Sequence, residues 1–130
     1  TIFPAIEIVD NRWINYKNVD INSLIADDFF SSEIILGNPV SLSKINNLDN
    51  LSGILSINNK QISDGNTKSI MNHPLNALIW LINSLQKKDK FLKQGEIVML
   101  GSITQTKWVD KNDEIIASFS SLGDIMLKFT

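Results

Sequence analysis

One segment of this chain, the stretch NHPLNALIWLINSL, constrains the fold more than any other. Its large apolar residues recur at helical spacing, at Leu75, Leu78, Ile82 and Leu85. Asn72 is a suitable N-cap, and Pro74 falls in the first turn, where its missing N–H costs little. Because Ile79, Trp80 and Leu81 widen the apolar surface, the pattern predicts one long helix that is buried on most sides.

Short apolar runs separated by turn residues surround this helix and predict strands. The predicted strands are Ala5–Val9, Glu33–Leu36, the two arms of a hairpin within Ile54–Ile62, Glu96–Leu100, Lys107–Val109, Glu114–Phe119 and Ile125–Phe129. The first hairpin is expected to turn at Asn58-Asn59, since asparagine tolerates a positive φ angle. A second hairpin is expected across Asp110–Asp113, and a shorter helix within Val19–Ala26. The expected fold class is α+β, mainly β with one long helix.

The composition excludes several functional classes. The chain carries a net charge of −2, whereas nucleic-acid binding proteins usually carry a basic excess, so we expect no nucleic-acid partner. The apolar stretch of the long helix is interrupted by Asn76 and Asn83 and is too short for a membrane span. The chain has no cysteine, which excludes disulfides, thiolate metal sites and cysteine nucleophiles and fits a cytoplasmic protein.

Two side chains are chemically unusual for their positions. Glu7 lies within an apolar strand, where an unpaired carboxylate is rare. It is either the partner of Arg12 in a salt bridge or a ligand for a hard cation such as Mg²⁺ or Mn²⁺. His73, the only histidine, stands at the start of the long helix, where a hydrogen bond to the backbone is the alternative to a functional role.

Other candidate residues have simple structural explanations. Asp27 and Asp28 follow a helical segment, and Gly101-Ser102 follows a predicted strand, where loop residues often contact ligands. The lysines within residues 87–93 are expected to form a solvated face. The sequence contains no glycine-rich phosphate loop, nucleophile elbow or paired-histidine motif. Residue chemistry alone therefore leaves the function open.

A combination of segments is typical of one family. These are PAIEIVDNR from Pro4, NHPLNALIWLINSL from Asn72, LKQGEIVMLGSIT from Leu92 and SLGDIMLKF from Ser121. In order and separation they resemble the C-terminal half of the 2-oxopent-4-enoate hydratase and 4-oxalocrotonate decarboxylase family, in the fumarylacetoacetate hydrolase superfamily. The resemblance covers nearly the whole chain.

The resemblance implies a fold and an activity. Residues 1–130 would form one fumarylacetoacetate hydrolase-like domain, a mixed β roll with one long buried helix, without the family's upstream half. Family members hydrate 2-hydroxy-2,4-dienoates or decarboxylate 4-oxalocrotonate in the catabolism of aromatic compounds. Mg²⁺ or Mn²⁺, chelated by the substrate's carboxylate and 2-oxo oxygen, stabilises the developing enolate charge. The implied partners are a small 2-oxo acid, further copies of the chain in a homo-oligomer and a partner enzyme of the pathway.

The resemblance also assigns roles to individual residues. Glu7 matches a metal-binding glutamate of the family. Asp27 matches the aspartate of the family's "ADNAS" segment and is the catalytic candidate. Gly101 and Ser102 match the loop that holds the substrate carboxylate through N–H and hydroxyl donors.

The family's HPLN motif and several departures complete the comparison. His73 and Asn76 match that motif and are expected to support the site rather than to react. Larger or less polar residues replace the family's small and polar ones at Phe30, Thr67, Asn72 and Leu100. These departures favour altered substrate choice or loss of activity.

The remaining parts of a family active site have no match in this sequence. No Glu-x-Glu pair, the family's other metal ligands, occurs in the chain, and the family's catalytic lysine lies in the upstream half. Two alternatives to a hydratase or decarboxylase therefore stay open. One is an acylpyruvate-type C–C hydrolase of the same superfamily, and the other is a non-catalytic scaffold subunit that keeps the fold.

Overall fold

The computed structural model describes residues Thr1 to Thr130 and contains two sheets with antiparallel pairing throughout. The strands are β1 (Ala5–Val9), β2 (Ser31–Leu36), β3 (Ser52–Ile57), β4 (Lys60–Asn66), β5 (Glu114–Phe119) and β6 (Gly123–Lys128). The helices are α1 (Ile21–Ala26) and α2 (Pro74–Gln86), with short 3-10 turns between elements. None of the helices has both the length and the apolar character needed to cross a membrane. The α+β fold class is confirmed.

The small sheet consists of β1 and β2, which pair around α1. Asp20 caps α1, because its side chain accepts hydrogen bonds from the backbone N–H groups of Asn22 and Ser23. A bridge between Ile2 and Val40 extends the β1–β2 ladder at its open end. The expected strands Ala5–Val9 and Glu33–Leu36 are therefore both present, the second beginning two residues earlier than predicted.

The larger sheet has the order β4-β3-β5-β6. Its β3–β4 hairpin turns at Asn58 and Asn59, whose φ angles of 51° and 63° agree with the expected tight turn. The Asn58 side chain also binds the end of a neighbouring strand, donating to Asp113 over 2.7 Å and accepting from the Glu114 N–H. Local turn chemistry thus fixes the hairpin and joins it to β5.

The two sheets meet at a proline and a glycine. Pro4, immediately before β1, has the most deeply buried large side chain in the chain. A methyl group at Gly37 would lie 2.7 Å from Cγ of Pro4 and 3.0 Å from Cγ1 of Ile125 on β6. Only a residue without a side chain fits here, so Gly37 permits the close approach of the sheets.

The prediction of strands at Glu96–Leu100 and Lys107–Val109 is wrong. Residues 96–109 run without a regular backbone ladder, and the predicted hairpin across Asp110–Asp113 does not form. Both edges of β5 are occupied by β3 and β6, so no edge remains for the residues before it. The alternation of side chains in the sequence indicates only that the segment has two different sides. A strand also needs a partner backbone for its hydrogen bonds, and the sequence pattern does not show whether one is present.

The helix α2 forms as expected, but it is much less buried than expected. His73 rather than Asn72 is the N-cap, since its Nδ1 accepts a 3.1 Å hydrogen bond from the Leu75 N–H. Within the helix only Pro74 is fully buried, and Trp80 is 62% exposed. No element of the chain covers the outer apolar face of α2, so helical periodicity correctly predicted the helix and overestimated its contacts.

A compact core lies beside the start of α2. Four buried side chains form it, Ile45, Leu48, Leu51 and Leu122, and Leu75 packs against them. Thr67 is the buried polar residue at its edge: its hydroxyl donates to the Leu48 carbonyl over 2.7 Å and accepts from the Leu51 N–H over 2.9 Å. The threonine thereby satisfies two backbone groups that would otherwise be buried without partners.

Candidate active site

A large, mainly apolar cavity of about 570 Å³ is lined by both sheets and by the irregular residues 96–107. Of its 37 lining residues, 25 are hydrophobic. They include side chains of β1, β3 and β5, so the cavity lies where the two sheets and the irregular segment meet. A few polar groups in an apolar concavity are typical of small-molecule sites.

Glu7 lies on the wall of this cavity. It occupies the middle of β1 opposite Ile34 of β2, and it is solvent-exposed. Its carboxylate forms no ion pair and no hydrogen bond within the chain. The expected alternative, a salt bridge to Arg12, is wrong, because Arg12 is bound elsewhere. An oxygen ligand without a protein partner is thus available to a cation.

Asp27 is the partner of Arg12 and does not line the cavity. The Arg12 Nε lies 2.8 Å from Asp27 Oδ1, and Arg12 also donates to the Asp27 carbonyl. The second carboxylate oxygen accepts the Phe30 N–H over 3.0 Å. The hydrogen bond from Arg12 lowers the pKa of Asp27 below its ordinary value, and the bond from Phe30 contributes in the same direction. Asp27 in this arrangement fixes the turn between α1 and β2, and the structure does not bring it together with Glu7.

Gly101 and Ser102 do lie on the cavity wall with Glu7. Gly101 has a φ of +130°, which residues with a side chain rarely adopt, and this conformation turns the backbone in the middle of the irregular segment. The Ser102 hydroxyl donates to the Thr104 carbonyl over 2.6 Å. Its oxygen also accepts a long hydrogen bond of 3.4 Å from the Thr104 N–H, and a rotation of the hydroxyl would let it donate to a ligand instead of to Thr104.

Ile103 docks this loop onto the larger sheet. It lies over two glycines that face each other across the β3–β4 ladder, Gly53 and Gly65. A side chain at Gly53 would meet the flexible end of the Ile103 side chain, whereas one at Gly65 would meet the Ile103 carbonyl group. The glycine pair therefore sets how closely Ser102 approaches the sheet.

His73 and Asn76 act on the backbone at the start of α2. The Nδ1 of His73 accepts a hydrogen bond from the Leu75 N–H. The Asn76 side chain donates to the Met71 carbonyl over 2.9 Å. This bond closes the turn at Met71-Asn72, both of which have positive φ angles. Neither residue lines the cavity, although Pro74 between them does.

The departures noted in the sequence have separate structural roles. Phe30 has a φ of 67° and its ring meets that of Tyr16 edge-on at 6.5 Å, outside the cavity. Leu100 and Thr67 line the cavity, and Asn72 occupies the turn before α2. The aromatic replacement at position 30 therefore packs locally, and Leu100 makes the cavity wall beside Gly101 less polar.

Sequence reasoning missed two charged residues of the cavity, Glu96 and Lys107. The Glu96 carboxylate accepts the Lys93 N–H over 2.8 Å and so closes a local turn. Lys107 is half-buried and forms no ion pair or hydrogen bond. The signal was present in the sequence as the alternation Lys107-Trp108-Val109, but the side of the segment that faces inward could not be read from it.

The chain by itself supplies only part of a metal site. No group of three or more His, Cys, Asp or Glu side chains is placed to hold an ion together. Glu7 fits a hard cation as one carboxylate ligand, and water or residues outside this chain would have to complete the coordination. A Mg²⁺ ion held by one carboxylate would be poorly fixed in position.

Comparisons with known proteins identify relatives of about twice this length. No family model matches the chain. The 4-oxalocrotonate decarboxylase of Pseudomonas putida is 27% identical over 128 residues, which are 98% of this chain and 48% of that protein. The 2-keto-4-pentenoate hydratase 1 of Dechloromonas aromatica (strain RCB) is 32% identical over 127 residues, 97% of this chain and 48% of that protein. The chain thus spans about half the length of the curated relatives it matches.

A solved structure has the same fold. The 4-oxalocrotonate decarboxylase from Pseudomonas putida G7, complexed with magnesium and adipate, superposes with a TM-score of 0.90 and 27% sequence identity. The match covers 98% of this chain and 48% of that one. The resemblance seen in the sequence motifs is therefore confirmed by overall sequence similarity and by the fold.

Proposed function

Because nearly the whole chain is similar to 4-oxalocrotonate decarboxylases and 2-keto-4-pentenoate hydratases, we propose that it belongs to their family and forms the C-terminal part of a metal-dependent lyase. Its substrates would be 2-hydroxy-2,4-dienoates or related 2-oxo acids from the breakdown of aromatic compounds. The observation that carries this proposal is the common cavity of Glu7, Gly101 and Ser102. It combines a free carboxylate, a glycine-turned loop and an apolar wall.

Each of these residues has a distinct task in the proposed reaction. The Glu7 carboxylate would be one oxygen ligand of Mg²⁺ or Mn²⁺, whose positive charge would favour the enolate form of a 2-oxo acid. The backbone at Gly101 and the hydroxyl of Ser102 would bind the substrate carboxylate by hydrogen bonds. The apolar lining would exclude water and so strengthen these electrostatic interactions.

The other residues assigned from the resemblance act at a distance in this proposal. Asp27, bound to Arg12, would take part in proton transfer only after exchanging that ion pair for a contact with the substrate. His73 and Asn76 would hold the start of α2, whose Pro74 contacts the cavity. They would therefore support the site without touching the substrate.

The test uses the full-length protein and a matched pair of glutamate variants. Turnover of 2-hydroxypenta-2,4-dienoate is followed as loss of the dienol's ultraviolet absorbance with and without Mg²⁺ or Mn²⁺, and decarboxylation of 4-oxalocrotonate as release of carbon dioxide. Glu7→Gln should abolish metal-dependent turnover. Glu33→Gln, on the paired strand outside the cavity, should retain it. Equal activity of the two variants would remove Glu7 from the metal site.

The same proposal includes the location of the enzyme in the cell and its assembly. We place it in the cytoplasm, as a homo-oligomer that can associate with a partner enzyme of its pathway. The apolar face of α2, where Ile79 is 54% and Trp80 is 62% exposed, needs a cover that either the upstream half or another copy of the protein would supply. Light scattering of the full-length protein measures the oligomer directly, and a monomer at micromolar concentration would contradict this part.

A further inference from the structure

Lys107 has an unusual position for a lysine. The residue is half-buried and belongs to the wall of the apolar cavity, although lysine is among the residues most often exposed. Its ammonium group forms no ion pair and no hydrogen bond within the chain. A half-buried lysine at a cavity wall, without a partner in the chain, is a candidate for binding an anionic ligand.

The tryptophan next to Lys107 lies outside the cavity. Residues 96–107 all contribute to the cavity wall, and of the next two residues Val109 lines the cavity while Trp108 does not. Trp108 is 72% exposed, and its ring meets the edge of Tyr16 with the centroids 5.9 Å apart. The usual polarity of such a segment, with tryptophan inside and lysine outside, is thus inverted.

Lys107 differs in charge from the other ionisable side chains of the cavity. The remaining ionisable side chains on the wall are the carboxylates of Glu7 and Glu96, so Lys107 supplies its only cationic side chain. In the proposed function, Glu7, Gly101 and Ser102 serve one carboxylate and the 2-oxo group. A substrate with a single carboxylate would therefore leave the ammonium of Lys107 without an anionic partner.

The distance along the chain is compatible with a second contact on the same ligand. Lys107 follows Ser102 by five positions in the sequence, and a fully extended chain of that length spans at most about 17 Å. The segment bends at residues 103–104, which shortens this span. A short diacid bound at Ser102, together with the long and flexible side chain of Lys107, can bridge the distance between the two residues.

Building on the proposed function, we infer that Lys107 binds a second anionic group of the substrate and makes the site selective for dicarboxylic 2-oxo acids. It is a specificity-determining residue in this view, and it does not take part in bond breaking. A hydrogen-bonded ion pair in a partly desolvated site commonly contributes tenfold or more in affinity, so its removal should be measurable.

The first measurement is binding, which does not depend on turnover. The full-length protein with Mg²⁺ is titrated calorimetrically with adipate and with hexanoate, which differ by one carboxylate on the same carbon chain. Lys107→Met should weaken adipate binding roughly 10- to 100-fold and change hexanoate binding by no more than about twofold. Lys107→Arg should restore most of the preference for adipate, since it keeps the charge.

The matched control is Lys111→Met, which removes the same charge four residues further on, at an exposed position outside the cavity. This variant should bind adipate like the parent protein. Similar losses for Lys107→Met and Lys111→Met would indicate a long-range charge effect and overturn the inference. Equal losses for adipate and hexanoate in Lys107→Met would do the same, because a merely structural residue would affect both ligands.

The second measurement separates this inference from the proposed function. The kcat/KM of each variant is compared for 4-oxalocrotonate and for 2-hydroxypenta-2,4-dienoate, which has one carboxylate fewer. Selective loss with the dicarboxylate in Lys107→Met supports the inference. Metal-dependent turnover with unchanged discrimination would refute the role of Lys107 and leave the proposed function standing. Absence of turnover with every 2-oxo acid, together with Lys107-dependent adipate binding, would refute the proposed function alone.

Discussion

The glycine at position 65 offers a sharp test of how the candidate site is positioned. Substitution by alanine would place a methyl group 2.8 Å from the carbonyl carbon of Ile103 and still closer to its oxygen. Ordinary contacts begin at 3.4 Å and the oxygen is the nearer atom, so the backbone of the loop would have to move by well over the roughly 0.6 Å that the carbon alone requires. The backbone at Gly65 is in a conformation open to alanine, so the lack of space alone makes this substitution costly.

The consequence for function follows from where Ile103 lies. It directly follows Ser102, so a displaced carbonyl carries the hydroxyl of Ser102 away from its place beside the cavity. A misplacement of about 1 Å can cost on the order of 100-fold in rate. We expect Gly65→Ala to lower kcat/KM of the full-length protein roughly 10- to 100-fold. Overpacking should also cost about 1–3 kcal/mol in the free energy of unfolding.

Gly53→Ala is the matched control. Gly53 lies directly opposite Gly65 in the ladder and faces the same residue, but its methyl group would meet the flexible tip of the Ile103 side chain. A rotamer change relieves that contact without moving the backbone, so kcat/KM should stay within about threefold of the parent value. Steady-state kinetics and urea unfolding of both variants decide the question. If Gly53→Ala and Gly65→Ala reduce kcat/KM equally, the idea that Gly65 positions the backbone of the loop is wrong.

Three further outcomes are expected. Thr67→Val should destabilise the protein by roughly 2–4 kcal/mol in urea unfolding, because the Leu48 carbonyl and the Leu51 N–H lose a buried partner, while Thr67→Ser should cost far less. Arg12 lowers the pKa of Asp27 below its ordinary 3.8, so the ion pair stabilises the fold above that pH and loses its effect as the pH falls further. The loss of stability on Asp27→Asn should therefore be full at pH 6 and shrink in unfolding measurements below about pH 4. The 130-residue chain alone should show no metal-dependent turnover in the dienol assay, since it holds no complete metal site; turnover abolished by Glu7→Gln would contradict this.

Local signals in the sequence predicted the elements whose formation depends on neighbouring residues. The Asn58-Asn59 turn, the strands of the larger sheet and the helix after Pro74 are present because turn chemistry, alternation and helical spacing act within a few residues. The cap of α2 differed by one residue, because His73 competes with Asn72 for the same N–H and only the geometry of the turn decides between them.

Long-range features could not be predicted in the same way. The partner of Arg12 was assigned to the wrong carboxylate, because Asp27 is 15 residues away in sequence and becomes adjacent only when β1 pairs with β2. Lys107 escaped notice for a similar reason, since its place on the cavity wall and the contact of Trp108 with Tyr16 arise only in the folded chain. The placement of Glu7 with Ser102 was expected only through the family resemblance, and their ligand roles remain predictions.

The incomplete core and the incomplete site have one physical explanation. A compact monomer of 14.6 kDa exposes roughly 6,900 Å². This chain exposes 9374 Å², an excess of about 2,500 Å² that is comparable with an obligate protein interface. The excess includes the apolar face of α2, and the cavity likewise has no group of three or more acidic or histidine side chains that could hold a metal ion. Protein outside these residues that covers the helix and adds ligands to the cavity would remove both deficits. Folding stability and metal affinity should then rise together when the upstream half of the family fold is supplied.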